Sequence, residues 1–179
     1  MRKLKNDELK RLSIDQFHAS SKTPITIVLD NVRSLNNIGS VFRTGDGFRI
    51  EKVILCGIST TPPHRDIHKT ALGAEESLTW EYFSETLEAV KQLKKEDYYL
   101  ASVEQAENSI SLEEFKPPEN RPIALIFGHE VKGVQQKVID QSDSCIEIPQ
   151  HGTKHSFNIS VSVGIVLWEI YCKTHKIKK

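Results

Sequence analysis

Cysteine is scarce in this chain, with only Cys56, Cys145 and Cys172 among 179 residues. Their odd number and wide spacing exclude a disulfide framework and a Cys-x-x-Cys metal or redox motif, so a reducing compartment is expected. Long apolar runs are missing as well: nothing approaches the ~18 uninterrupted apolar residues of a membrane span. The opening MRKLKNDELKRL has no apolar core of a secretory signal. A cytoplasmic protein without membrane contact is the expectation. Nucleotide fingerprints are also lacking. No G-x-G-x-x-G and no G-x-x-x-x-G-K-[ST] occurs, which removes most support for dinucleotide or nucleoside-triphosphate binding.

Net charge is zero, from 24 basic and 24 acidic side chains, but the charges are segregated. Residues 1–11 carry five basic and two acidic groups, residues 172–179 four basic and none acidic, and residues 81–119 ten acidic against four basic. A fold that gathers the basic ends on one face could meet a polyanion; solvated termini explain the pattern equally well. The length suits one domain with a substantial core.

Five short runs rich in β-branched residues stand out: ITIVLD (25–30), KVILCG (52–57), YYLASV (98–103), PIALIFG (122–128) and SCIEIP (144–149). Apolar in both phases, they predict strands buried on both faces, as in a parallel sheet. Helical segments alternate with them, including IGSVFRTGDGF and SETLEAVKQLKKE, the latter with Ser84 as its predicted N-cap. The expected class is α/β, mostly parallel, with helices on both faces. Ahead of the first strand, Leu9, Leu12 and Phe17 form a packing stripe on a short helix or on two helices broken near Ser13, where Ser13 and Gln16 fit a capping box. The stretch 61–80 reads as a loop with a short helix near residues 69–72.

Ligands of open parallel sheets bind beyond the carboxyl ends of the strands. Those positions read DNVRSLNNIGSVFR, SVEQ, GHEVKG and PQHGTKHSFN, which are polar and mostly glycine-bearing. Asn37 is expected at or before a helix N-cap, with Arg43 at least a turn inside; both could reach a phosphate or ribose, or serve as an ordinary cap and a surface arginine. Two histidine pairs, His64/His68 and His151/His155, have i,i+4 spacing, but no third ligand lies nearby in sequence and no metal is expected.

NNIGSVFRTGDGF, IFGHEVKGV and IEIPQHGTKHSFNISVSVGI resemble the three successive motifs of the SpoU/TrmH family of RNA ribose 2′-O-methyltransferases, in the SPOUT superfamily. The resemblance runs from about residue 25 to the C-terminus, with the motifs in order. It implies a C-terminal deep trefoil knot, S-adenosyl-L-methionine as cofactor, a homodimer with sites shared between subunits, and RNA as substrate. Residues 1–22 would then be an N-terminal helical extension and 23–179 the methyltransferase domain.

Carried over by motif position, Asn37, Arg43, Glu130, Ser156 and Asn158 are the implied catalytic residues. Val103, Gly128, His129, Ile148, Gly152 and Phe157 are the implied cofactor contacts. Arg43 is expected to touch RNA, and His151, Lys154 and His155, which the family pattern does not assign, are expected to face RNA phosphate. Phe157 and Gln150 replace the leucine and methionine usual in the third motif. An arginine is a poor general base near neutral pH, since its pKa exceeds ~12. Arg43 is therefore expected to clamp phosphate and stabilise developing alkoxide, oriented by Glu130. A chain of this length is expected to carry no separate RNA-binding domain, which puts tRNA ahead of rRNA as the expected substrate. The alternatives are a knotted methyltransferase acting on a base and a catalytically silent RNA-binding module.

Overall fold

Doubly apolar runs separated by polar turns form a single parallel sheet in the computed structural model, which describes residues 1–175. The strands are β1 (Thr23–Asp30), β2 (Ile50–Cys56), β3 (Thr79–Phe83), β4 (Tyr99–Val103), β5 (Ile110–Ser111), β6 (Ile123–Phe127) and β7 (Ser144–Glu147). Their order is β3-β2-β1-β6-β4-β7-β5, and each of these pairings is parallel. Parallel neighbours require crossovers. Among the described residues the helices are α1 (Ile14–Ala19), α2 (Leu35–Gly47), α3 (Arg65–Ala71), α4 (Ala74–Ser77), α5 (Thr86–Lys95), α6 (Gln136–Ile139) and α7 (Ile159–Thr174), with a 3-10 turn at Asn6–Leu9 before them.

Period-two alternation divides the central strands between two cores. Ile25, Ile27 and Leu29 of β1, with Ile123, Leu125 and Phe127 of β6, join Phe42, Ile67, Val163 and Leu167 on one face. Val28, Ala124 and Ile126 face Val90, Leu93 and Val138 on the other. Burying each such large side chain contributes about 1.5–3 kcal/mol. The α/β class with helices on both faces thus follows from strands that have no polar side.

Sequence patterning did not reveal β3 and β5. The TWEYF of β3 lies at the sheet edge with every residue at least partly exposed, and β5 has two residues. Other expectations need correction. Only Phe17 of the N-terminal stripe is buried, while Leu9 and Leu12 are 38% and 48% exposed. The break itself is where Ser13 puts it: its hydroxyl accepts the Gln16 N–H and its own N–H reaches the Gln16 carboxamide.

Ser84 does not cap α5, because its hydroxyl turns to Glu88 and Glu85 takes the cap position. The helix expected near 69–72 begins earlier, at Arg65, where His64 Nδ1 accepts the Asp66 N–H at 3.1 Å. On α7, Ile159, Val163, Val166 and Ile170 are buried, whereas Val161, Ile165 and Trp168 are exposed; Cys172, four residues after Trp168, lies in the interior. A β-carbon on Gly164 would meet nothing within 4 Å in this chain. Three of the basic C-terminal residues, Lys176, Lys178 and Lys179, lie outside the described residues.

Connections from β1 and β6, the central neighbours, run to opposite sides of the sheet. β1 leads by α2 to β2, and β6 leads by α6 to β7. A crevice opens where such a sheet reverses direction, at the carboxyl ends of its strands.

Candidate functional site

Asp30 closes β1 and is fully buried. Its carboxylate accepts from Thr86 Oγ1 at 2.5 Å, Gln135 N at 2.8 Å, Gln135 Nε2 at 2.6 Å and Asn31 Nδ2 at 2.8 Å. A buried carboxylate is tolerable only with such a set of donors. These bonds tie the start of α5 and the far end of the loop after β6 to the end of β1. Sequence reading missed Asp30; its one signal is an acidic residue ending a largely apolar strand.

The loop after β6 folds back as a tight hairpin, with His129 N–H to Gly133 O at 3.1 Å and Gly133 N–H to His129 O at 2.8 Å. Gly128 is required here: a β-carbon would lie 2.0 Å from the Gly133 carbonyl carbon. Gly133 has φ +67°, a left-handed conformation that favours glycine, and the Glu104 carboxylate packs where its side chain would be. Inside the hairpin His129 Nδ1 accepts the Val131 N–H at 3.0 Å, so this histidine shapes the turn. Glu104 was also missed. Its carboxylate holds Val134 N–H at 2.9 Å and so fixes the hairpin's exit.

At the hairpin tip, Glu130 reaches back to the loop after β1. It accepts Arg33 N–H at 3.1 Å, Ser34 N–H at 2.9 Å and Asn37 Nδ2 at 3.2 Å. Desolvation raises the Glu130 carboxyl pKa, but its own N–H, those of Ser34 and Arg33, and the Asn37 amide together outweigh that and hold it below the usual value. Glu130 therefore pins the start of α2 and bonds to the backbone of Arg33, not to the side chain of Arg43. Ser34 caps α2, which puts Asn37 inside the first turn instead of at the cap.

Asn37 passes the connection on. Its Oδ1 accepts Asn158 Nδ2 at 3.2 Å, and Asn158 caps α7 by accepting Ser160 N–H at 2.9 Å and Ser160 Oγ at 2.7 Å. One chain of hydrogen bonds, Glu130 to Asn37 to Asn158 to Ser160, thus joins the start of α2 to two segments 93 and 121 residues further along the chain. Arg43 lies outside this network, exposed on α2, with no hydrogen bond or ion pair among the described residues.

Beside the network lies a cavity of about 990 Å³. Val103, Gly128, His129, Ile148 and Phe157 all line it, as do Glu130, Ser156, Asn158 and His155. Gly152, His151 and Lys154 stand exposed away from its wall. Gln105 Nε2 donates to His155 O at 2.7 Å and holds this end of the loop against the cavity. Apolar surface comes from Phe127, Ile139 and Ile159, polar groups from Glu104, Asn108 and Gln136.

Comparison with known proteins fits these features. The sequence profile of the SpoU rRNA Methylase family matches residues 24–168. The chain belongs to the SpoU family. A TrmH family tRNA/rRNA methyltransferase of Staphylococcus haemolyticus is 27% identical over 167 residues, covering 91% of this chain and 66% of the relative. The 23S rRNA (guanosine-2′-O-)-methyltransferase RlmB of Vibrio parahaemolyticus is 26% identical, covering 90% and 64%. This SpoU chain thus spans just under two thirds of the length of these relatives.

Among solved structures, the A. aeolicus TrmH/SpoU tRNA modifying enzyme superposes with a TM-score of 0.80 at 19% identity, covering 91% of this chain and 83% of that one. An AdoMet-bound rRNA methyltransferase from Sinorhizobium meliloti gives 0.79 at 21%, covering 89% and 59%. These likenesses establish the SpoU fold. No described helix is long and apolar enough to cross a membrane.

Proposed function

We propose that this chain methylates a ribose 2′-hydroxyl of RNA using S-adenosyl-L-methionine. The observation that carries the reading is the bonded series Glu130, Asn37, Asn158, which ties the first motif segment to the second and third, both of which line one cavity. Two similarities support it: the Vibrio relative is named a guanosine-2′-O-methyltransferase, and the Sinorhizobium structure holds AdoMet.

The cavity residues fit such a cofactor. Val103, Phe127, Ile148 and Phe157 offer apolar cover for a base, and Glu104 and Asn108 offer acceptors for hydroxyl and ammonium groups. Gly128, by lacking a side chain, lets the backbone close around the pocket. When bound, the cofactor supplies an electrophilic methyl on a sulfonium centre.

Arg43 is the group suited to touch substrate: an unpaired guanidinium can grip the adjacent phosphate and stabilise charge developing on the 2′-oxygen. Ser156, exposed on the cavity wall, can hydrogen-bond the ribose. Asn37, Asn158 and Glu130 act as positioning residues, because their polar atoms are largely spent on one another. His151, Lys154 and His155 belong to the RNA-facing rim.

Arg43 does not line the cavity of its own chain, which favours a site completed across a homodimer. Exposed Val161, Ile165 and Trp168 on α7 are the apolar face for that contact. The family's trefoil knot over the C-terminal segment, a division into residues 1–22 and 23–179, and a cytoplasmic location complete the proposal. We place tRNA ahead of rRNA; the A. aeolicus neighbour is described as a tRNA modifying enzyme.

The test incubates the pure protein and methyl-labelled S-adenosylmethionine with total RNA from a strain lacking the gene. Label in the tRNA fraction supports the proposal. Label confined to rRNA overturns the substrate preference, and none in either overturns the activity.

A further inference from the structure

Outside the cavity, α3 and α4 meet across a sharp corner made by Leu72 (φ 54°) and Gly73 (φ +90°). The corner folds Glu75 and Glu76 back against His68. His68 Nδ1 lies 2.5 Å from Glu75 Oε1, and one ligand-type atom from each of His68, Glu75 and Glu76 lies within 4.8 Å of the others. The Glu75 side chain is only 8% exposed, and its second oxygen, Oε2, has no hydrogen-bond partner. An unsatisfied buried carboxylate oxygen is destabilising unless something binds it.

We propose that His68, Glu75 and Glu76 form a binding site for a divalent cation of the zinc class. A cation would neutralise two adjacent carboxylates, and coordination through Glu75 Oε2 would give that atom the partner it lacks. One imidazole and two carboxylates are the mixed nitrogen and oxygen set that zinc accepts, with water as a fourth ligand, whereas magnesium and calcium prefer oxygen alone. Tetrahedral bonds of ~2.0 Å put ligand atoms ~3.3 Å apart, so His68 Nδ1 and Glu75 Oε1, now 2.5 Å apart, must separate while the longer spacings close. The cluster can do so: Glu75 is held by burial, while His68 and Glu76 are exposed and free to swing in. An open pocket of about 470 Å³, lined also by His64 and Trp80, provides the entry path.

The corner is otherwise well anchored. Ser77 Oγ bonds Asp46 Oδ2 on α2 at 2.5 Å, and Thr70 Oγ1 bonds Asn36 O at 3.0 Å. A bound cation would staple α3 to α4 beside the helix that carries Asn37 and Arg43. Sequence spacing paired His68 only with His64; the carboxylates come from beyond the corner.

Calorimetric titration of the chelator-stripped full chain with Zn²⁺ tests the proposal, with thermal unfolding followed in parallel. One equivalent is expected to bind and raise the unfolding temperature. The double variant His68→Ala/Glu76→Gln, altered only at exposed positions, should weaken that binding by about 100-fold or more and lose the thermal shift. Glu75→Gln should do the same if it folds. His151→Ala/His155→Ala should retain both. Equal binding by wild type and His68→Ala/Glu76→Gln, no binding at micromolar Zn²⁺, or equal competition by Mg²⁺ would overturn the proposal.

Discussion

Replacing Glu130 with alanine removes three hydrogen bonds that hold the loop after β1 and the start of α2. Bonds to a charged acceptor are worth about 1.5–3 kcal/mol each when buried. Glu130 is only half-buried, so screening reduces the sum to about 2–3 kcal/mol for the set. In a chain of this size each kcal/mol lowers the unfolding temperature by about 2–4 °C, so Glu130→Ala should fall by about 4–12 °C. The pH dependence fixes the sign. Because the folded carboxyl titrates below its unfolded value of ~4.3, its stabilisation is present above that pH and is lost as pH falls through the folded value. Urea midpoints for wild type and variant should therefore differ at pH 7 and converge towards strongly acidic pH. A variant within 0.5 kcal/mol of wild type at pH 7, or a gap that widens in acid, would refute the reasoning.

Arg43→Ala should leave the unfolding temperature almost unchanged, since Arg43 has no partner among the described residues, yet lower methyl transfer by about 100-fold or more, the scale for losing one group that stabilises developing charge. Asn158→Ala removes the α7 cap and the bond to Asn37; urea unfolding should show a loss of about 1–2 kcal/mol and transfer should drop as well. Burial pushes the Cys56 thiol up to about 12, so a thiol reagent at pH 8 should leave Cys56 unmodified in the native protein and label it once urea unfolds the chain.

The sheet's centre was legible because β1, β2, β4 and β6 are apolar in both phases, which only a strand covered on both faces requires. β3 and β5 were not, because edge strands need no such pattern and Thr79–Phe83 alternates no differently from a loop. At the site, residue types were readable but partners were not. Glu130 was assigned to Arg43, whereas it binds Arg33 and Ser34 backbone 96 or more residues away, a contact created by the meeting of β1 and β6. Asn37 was expected at or before the cap, but Ser34, three residues earlier, takes that position and accepts the Asn37 N–H. Asp30 and Glu104 escaped notice since each stabilises loops from other segments. The same limitation hid the approach of Glu75 to His68 around Leu72 and Gly73.

The central claim, that the target atom is a ribose oxygen, is tested most directly by alkaline hydrolysis of RNA methylated with labelled S-adenosylmethionine. Alkali cleaves RNA through the 2′-hydroxyl, so a methyl group on that oxygen protects the adjacent phosphodiester bond. The account predicts that label survives in alkali-resistant dinucleotides and disappears from the RNA when Arg43→Ala replaces wild type. Label recovered in mononucleotides, as a methylated base would give, would contradict it.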